Sequence, residues 1–260
     1  MFKFNKLSTL SLVSLSVMIS LQHECNKVMI AEDYLENPPP KLDFALAANK
    51  EFFEGFDHLD YKWWKTSAAN LKQFQIEMVD CIHFSLSHLL QHITRHEQTL
   101  QEGSELFHQH LTKDLENFIG NFEELQESIE NEINSGSETL ESFILGSMEA
   151  HQSSFVAGSC LQRTAIAVAM AQLSGMSLDE LVNAYIAKNT LNIFRTTHGY
   201  KDGSYIKDWF GVEDNVTIEN YLAANDMSQP DAIPALNAHL EAVYATVVVH
   251  KLNQYYRGAY

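Results

Sequence analysis

The chain has 260 residues, 45% of them hydrophobic and 11% aromatic, enough for one sizeable core, and its 5 prolines and 11 glycines are too few for an all-β fold rich in tight turns. A formal net charge of −17 excludes non-specific binding to nucleic acid polymers, whose phosphates attract basic surfaces. It also makes the position of the few cations decisive for any polyanionic small substrate.

Lys3 and Lys6 precede an apolar run from Leu7 to Leu21 that imitates a secretory signal. Ser8, Thr9, Ser11, Ser14, Ser16 and Ser20 dilute that run, which is too short and too polar to span a bilayer, so residues 7–31 read as an amphipathic helix of the fold and no membrane partner is expected. Pro38-Pro39-Pro40 marks a loop. A second helix is predicted from Asp43 to about Phe56 and a third from Ala68 to about His96. Ile76, Met78, Val79, Cys81, Ile82 and Phe84 leave the third almost no polar face.

Residues 97–155 differ in character. Lys113 is the one Lys or Arg between Arg95 and Arg163, and Leu115, Phe118, Phe122, Leu125, Ile129 and Ile133 recur at helical spacing until Asn134-Ser135-Gly136-Ser137 breaks the pattern. The stretch is expected to be an acidic helical insertion or mobile lobe, set into a core formed by 1–96 and 156–260. Residues 156–173 read as a core helix. Ser177 and Glu180 form a capping box that opens a helix through about Thr196. His198–Asp214 is rich in turn residues, and a last helix or helix pair is predicted after Pro234. Cys25, Cys81 and Cys160 are too widely spaced for a disulfide framework or a zinc pattern and read as buried, reduced thiols of a cytoplasmic protein.

Two acidic pairs stand out. Glu51 and Glu54 in NKEFFEGF, and Glu77 and Asp80 in IEMVDCIHF, are each three residues apart, so each pair points two carboxylates from one helical face. The first pair alone would suit a solvated helix. The second lies in a helix apolar nearly all round, with no Lys or Arg within a turn. Burying such a pair is costly unless a hard dication such as Mg²⁺, or an interhelical salt bridge, relieves it.

The cations between Arg163 and Lys251 are confined to Lys188, Arg195, Lys201 and Lys207. Lys188, Asn192 and Arg195 follow i, i+4, i+7, one stripe of a helix, and a turn at Asp202-Gly203 could fold Lys207 back toward it. This is the pattern of an anion site, with surface ion pairing as the competing reading. His88, His92 and His96 form a rival stripe for a transition metal, but no Cys or Asp joins it.

The segment KNTLNIFRTTHGYKDGSYIKDWFGVEDN (188–215) resembles the C-terminal signature of the all-α dimeric dUTPases. KEFFEGFDHLDYKWWK (50–65) and IEMVDCIHF (76–84) resemble that family's two acidic motifs, shared more loosely with MazG-like pyrophosphohydrolases, and LQHECN (21–26) is similar to its base-reading helix. Met78 stands where Leu is more usual, and 97–155 matches nothing in the family pattern.

The resemblance implies an all-α helical bundle of the NTP pyrophosphatase type that hydrolyses dUTP to dUMP and pyrophosphate. It makes Glu51, Glu54, Glu77 and Asp80 the ligands of two or three Mg²⁺ ions, with Mn²⁺ as a substitute, and one of the four, Glu51 by preference, the base that deprotonates the attacking water. It assigns the phosphates to Lys188, Asn192, Arg195, Tyr200, Lys207 and Asn215, and the uracil and deoxyribose to Gln22, Asn26, Trp64, His83 and Phe84. Attack is expected at the β-phosphorus. A homodimer with sites built from both subunits is implied, and dUDP is a further candidate substrate. The competing readings are a MazG-like enzyme acting on another dNTP such as dCTP, and a non-catalytic helical interaction protein. For the two tryptophans, one indole is expected against a base and the other, Trp63, in the core.

Overall fold

The computed structural model describes residues 10–64, 68–96, 146–149, 151–153 and 160–258, with residues 8 and 124. Among these residues the chain is all-α apart from one short hairpin. Helix α1 spans Leu12–Met29, α2 Phe44–Asp57, α3 Leu71–His96, α4 Cys160–Leu173 and α5 Leu178–Thr197. Strands β1 (Asp208–Trp209) and β2 (Val212–Glu213) pair antiparallel, and α6 (Asn215–Leu222) and α7 (Ala232–Gly258) follow.

Side-chain caps set several starts. Ser11 accepts from the Ser14 amide at 3.0 Å, Asp43 from Leu46 at 2.8 Å, and Asn70 from Gln73 at 3.2 Å, each satisfying a first-turn donor that lacks a helical partner. The predicted capping box is present: Ser177 accepts from the Glu180 amide at 3.2 Å, and the Glu180 carboxylate accepts from the Ser177 amide at 2.8 Å. Gly175, at φ +99, turns the chain between α4 and α5 with the left-handed backbone that closes a helix end.

Two hydrophobic clusters share one helix. Leu15, Met18, Phe52, Phe56, Phe74, Ile82 and Val168 belong to a core between α1, α2, α3 and α4 that also takes Leu181 and Tyr185 from the first half of α5. The second half of α5 gives Ile186, Leu191 and Phe194 to another core, with Trp209, Ile218, Leu236, Leu240 and Tyr244. At Gly55, α2 comes so near α3 that an added Cβ would lie 2.6 Å from the Met78 methyl, which sets the two acidic pairs against each other. All three cysteines are buried, as expected.

The structure corrects several expectations. The turn-rich segment contains the hairpin, where Trp209 is buried and donates its indole N–H to the Ile206 carbonyl at 2.7 Å. The helix α6 had no counterpart in the sequence reading. Helix α7 begins at Ala232 rather than after Pro234, because a first-turn proline forfeits no helical hydrogen bond. Trp63 is 90% exposed and Trp64 61%, on the loop after α2, so neither joins the core. Their rings meet edge to face at 5.7 Å, and Trp64 meets Tyr61 at 6.3 Å.

By length and composition, Ala232–Tyr255 could also cross a bilayer; here its Leu236, Leu240, Tyr244 and Val247 side packs on the second core. The acidic insertion expected over 97–155 lies almost wholly outside the described residues. At its far end, the His151 ring stacks on Phe52 at 3.7 Å, tying that point to the core.

Candidate active site

One cavity of about 600 Å³ gathers side chains from α1, α2, α3, α5 and the segment up to α6. It is lined by Gln22, Asn26, Glu51, Glu54, Glu77, Asp80, His83, Phe84, Lys188, Asn192, Arg195, Tyr200, Lys207 and Asn215. Of the predicted site residues, Trp64 is the one left outside this lining.

Glu51, Glu77 and Asp80 can each bring an oxygen to within 4.8 Å of the others, the sole such acidic, cysteine or histidine cluster among the described residues. All three are half-buried. Burial pushes the Glu51 carboxyl up to about 7, aided by repulsion from Asp80, Glu77 and Glu54 and opposed by Lys50. Burial and Asp80 likewise raise Glu77, against a hydrogen bond from Glu51 and the charge of Lys188. Such an all-oxygen, mutually repelling set fits a hard divalent cation. Glu54 stands apart, with Oε2 2.6 Å from the Lys50 ammonium. The His58 Nε2 lies 3.4 Å from Glu77.

The cations face this cluster from α5. Lys188 lies 2.8 Å from Asp80 Oδ2 and donates to Asn215 Oδ1 at 3.0 Å, so the interhelical salt bridge weighed for the second acidic pair exists at Asp80. Arg195 donates through Nε and Nη2 to the two oxygens of Asp214, at 2.8 and 2.6 Å. It also reaches Asn192 at 3.2 Å and Asn215 at 3.0 Å, and its guanidinium carbon lies 6.0 Å from the centre of the Tyr200 ring. Burial pushes the fully buried Asp214 up, but the hydrogen bonds and charge of Arg195 and the hydroxyl of Tyr205 outweigh it and hold the carboxyl below its ordinary range. The Tyr205 hydroxyl donates to Asp214 at 2.7 Å.

Lys207 closes the stripe, 3.2 Å from Glu213, and Gly203 at φ +79 makes the expected turn. Sequence reasoning missed Lys50, His58, Tyr205 and Asp214. Asp214 immediately precedes α6, yet its carboxylate makes no cap hydrogen bond and serves Arg195 instead.

At the α1 end the polar side chains are buried and mutually bonded. Gln22 donates to Asn26 Oδ1 at 3.0 Å, and its Oε1 accepts from Tyr185 at 2.8 Å. The same Oε1 lies 2.6 Å from His83 Nδ1, so that nitrogen is the donor and Nε2 an acceptor, which has no partner among the described residues. The His83 ring stacks on Tyr185 at 3.9 Å, and burial pushes its pKa down to about 3, keeping it neutral. Asn26 donates to Ser87 at 3.0 Å and to Tyr34 at 3.3 Å.

A smaller cavity of about 330 Å³ lies on another face of α3, between Ile76, Val79, Met176, Ile218 and Leu222. It shares Lys188 but holds none of the clustered carboxylates. Of the rival histidine stripe, His88 Nδ1 is held by the Arg163 guanidinium and His92 is exposed, while the side chain of His96 lies outside the described residues.

A family profile described as dUTPase matches residues 14–200. The matched span contains all four acids and Lys188, Asn192, Arg195 and Tyr200, while Lys207 and Asn215 lie beyond it. No curated protein matches the chain.

Proposed function

The chain belongs to the dUTPase family of the all-α type, and from that premise we propose that it converts dUTP to dUMP and pyrophosphate by Mg²⁺-assisted attack of water on the triphosphate. The carrying observation is the cluster of Glu51, Glu77 and Asp80 in the same cavity as Lys188, Arg195 and Lys207. Carboxylates for two or three divalent ions and cations for phosphate oxygens then share one space.

Glu51, Glu77 and Asp80, joined by Glu54, would hold the ions; when bound, Mg²⁺ neutralises triphosphate charge and lowers the pKa of the attacking water, and Mn²⁺ would substitute. Glu51 takes the proton from that water as the general base. The water oxygen bonds to the β-phosphorus, the bond from that phosphorus to the α-phosphate oxygen breaks, and dUMP departs with that oxygen. Lys188, Arg195 and Lys207, helped by Asn192, Tyr200 and Asn215, hold the charge of the pyrophosphate.

The uracil would meet the Gln22–Asn26–His83 network, with Phe84 beside the ring. His83 Nε2 is an acceptor suited to the N3–H of uracil, and Gln22 keeps one amide hydrogen for a carbonyl. Cytosine offers an unprotonated N3 and an amine at those places, leaving buried groups unpaired. Trp64 is assigned to the base by the family resemblance alone and lies outside the cavity lining. A homodimer with sites built from both subunits, a cytoplasmic location, dUDP as a further substrate, and 97–155 as an insertion in a core of 1–96 and 156–260 belong to the same proposal.

Pyrophosphate release from dUTP, dCTP, dTTP and UTP, with and without Mg²⁺, tests it. We expect Mg²⁺-dependent release with dUTP far ahead. Preferred turnover of dCTP would point to a different base pocket on the same metal site, and no release from any of them to a non-catalytic helical protein.

A further inference from the structure

The position of Glu54 carries a further inference, which rests on the metal-assisted reading above. Glu54 lines the cavity yet is absent from the carboxylate cluster, because its Oε2 is held 2.6 Å from the ammonium of Lys50, one turn earlier on α2. The same ammonium lies 3.7 Å from Glu51 Oε1. It therefore stands within reach of both Glu54 and the cluster from the α2 side.

We propose that Lys50 is an exchangeable counter-ion that becomes a substrate-binding residue. Before loading it neutralises Glu54 and part of the charge on Glu51. When a divalent ion draws Glu54 toward Glu51, Glu77 and Asp80, the freed ammonium turns into the shared cavity and takes a triphosphate oxygen.

Two features favour the exchange. The pair is exposed on both sides, 61% for the Lys50 side chain and 47% for Glu54, so little stabilisation opposes its rupture. A lysine is also a point charge on a flexible four-carbon stem, able to serve either partner without a fixed fork geometry. Two of the other cavity cations are more firmly engaged. Lys188 is buried against Asp80 and Asn215, and Arg195 spends both ends of its fork on Asp214. A triphosphate entering a chain of net charge −17 gains most from the cation that metal binding sets free.

The exchange predicts opposite effects on two ligands from one substitution. In Lys50→Met, titration calorimetry of Mg²⁺ into the full chain without nucleotide should show tighter binding, by about three- to fivefold, because one repelling charge is gone. With dUTP at saturating Mg²⁺, the same variant should show KM raised about tenfold and kcat moved less. Lys50→Arg should return both toward wild type.

Unchanged Mg²⁺ affinity, or unchanged KM, in a Lys50→Met protein of wild-type circular dichroism would overturn the proposal while leaving dUTP hydrolysis standing. Failure of the wild type to turn over any nucleotide would instead overturn the catalytic reading, and this inference with it.

Discussion

Lys188 on α5 and Asp80 on α3 meet at 2.8 Å across 108 positions of sequence, with the lysine buried and the aspartate nearly so. Asp80 stands beside Glu51 and Glu77, and Lys188 shares the Asn215 side-chain oxygen with Arg195. Removing one partner of a sheltered pair leaves its charge uncompensated. Lys188→Met should therefore destabilise the metal-free fold at neutral pH by about 1–3 kcal/mol, discounted because Asp80 retains some solvent. Urea unfolding in chelator measures this, and saturating Mg²⁺ should return much of the loss. Equal losses with and without Mg²⁺ would contradict a shared acid site.

The acid cluster gives stability a pH dependence of defined sign. Burial raises Glu51 to about 7, so the folded state binds protons that the unfolded state has released above its ordinary value of 4.5. Metal-free stability from this group therefore falls as pH rises from 4.5 toward 7 and stays low above it. Glu51→Gln should abolish pyrophosphate release yet stabilise the chelated protein at pH 8, by roughly 1–2 kcal/mol once solvent screening is allowed for. A variant less stable than wild type at pH 8 in chelator would refute the assignment.

Asp214 behaves in the opposite sense. Its folded carboxyl is held below the ordinary 3.8 despite burial, so its contribution is present above 3.8 and is lost as pH falls through the folded value. Asp214→Asn unseats Arg195 from its bidentate clamp and should lower kcat/KM for dUTP by about a hundredfold. Tyr205→Phe removes one hydrogen bond to the same carboxylate and should cost about 1 kcal/mol of stability with activity within a few-fold. Steady-state kinetics beside thermal unfolding separate the two; near-normal kinetics for Asp214→Asn would show that the arginine is not used on substrate.

His83→Phe keeps a ring against Tyr185 and removes the neutral acceptor assigned to the base. The ratio of kcat/KM for dUTP over dCTP should narrow by about tenfold or more. An unchanged ratio would place base selection elsewhere.

Much of this was written in local spacing. Asp43, Ser177 and Glu180 announced helix starts because caps act within four residues. The i, i+3 acids and the i, i+4, i+7 stripe fixed faces for the same reason. Contacts made across the fold were not legible. Nothing near Asp80 in sequence indicates that Lys188 answers it, and Asp214 looks like an ordinary residue before a helix until Arg195 arrives from α5. The hairpin and α6 are short, so periodicity had too few residues to speak, and burial of Trp209 decides their shape instead. Trp63 misled in the other direction, since size and apolarity do not reveal that a loop holds it in solvent.

The three buried thiols give the molecule internal clocks. Cys25 lies against the Asn189 carbonyl between α1 and α5, Cys81 sits on the acid-bearing helix, and burial pushes both up to about 12. A thiol so placed reacts with an alkylating reagent only when its helices part. The alkylation half-time at Cys25 thus times the breathing of α1 against α5, and a bound nucleotide that bridges them should slow that clock.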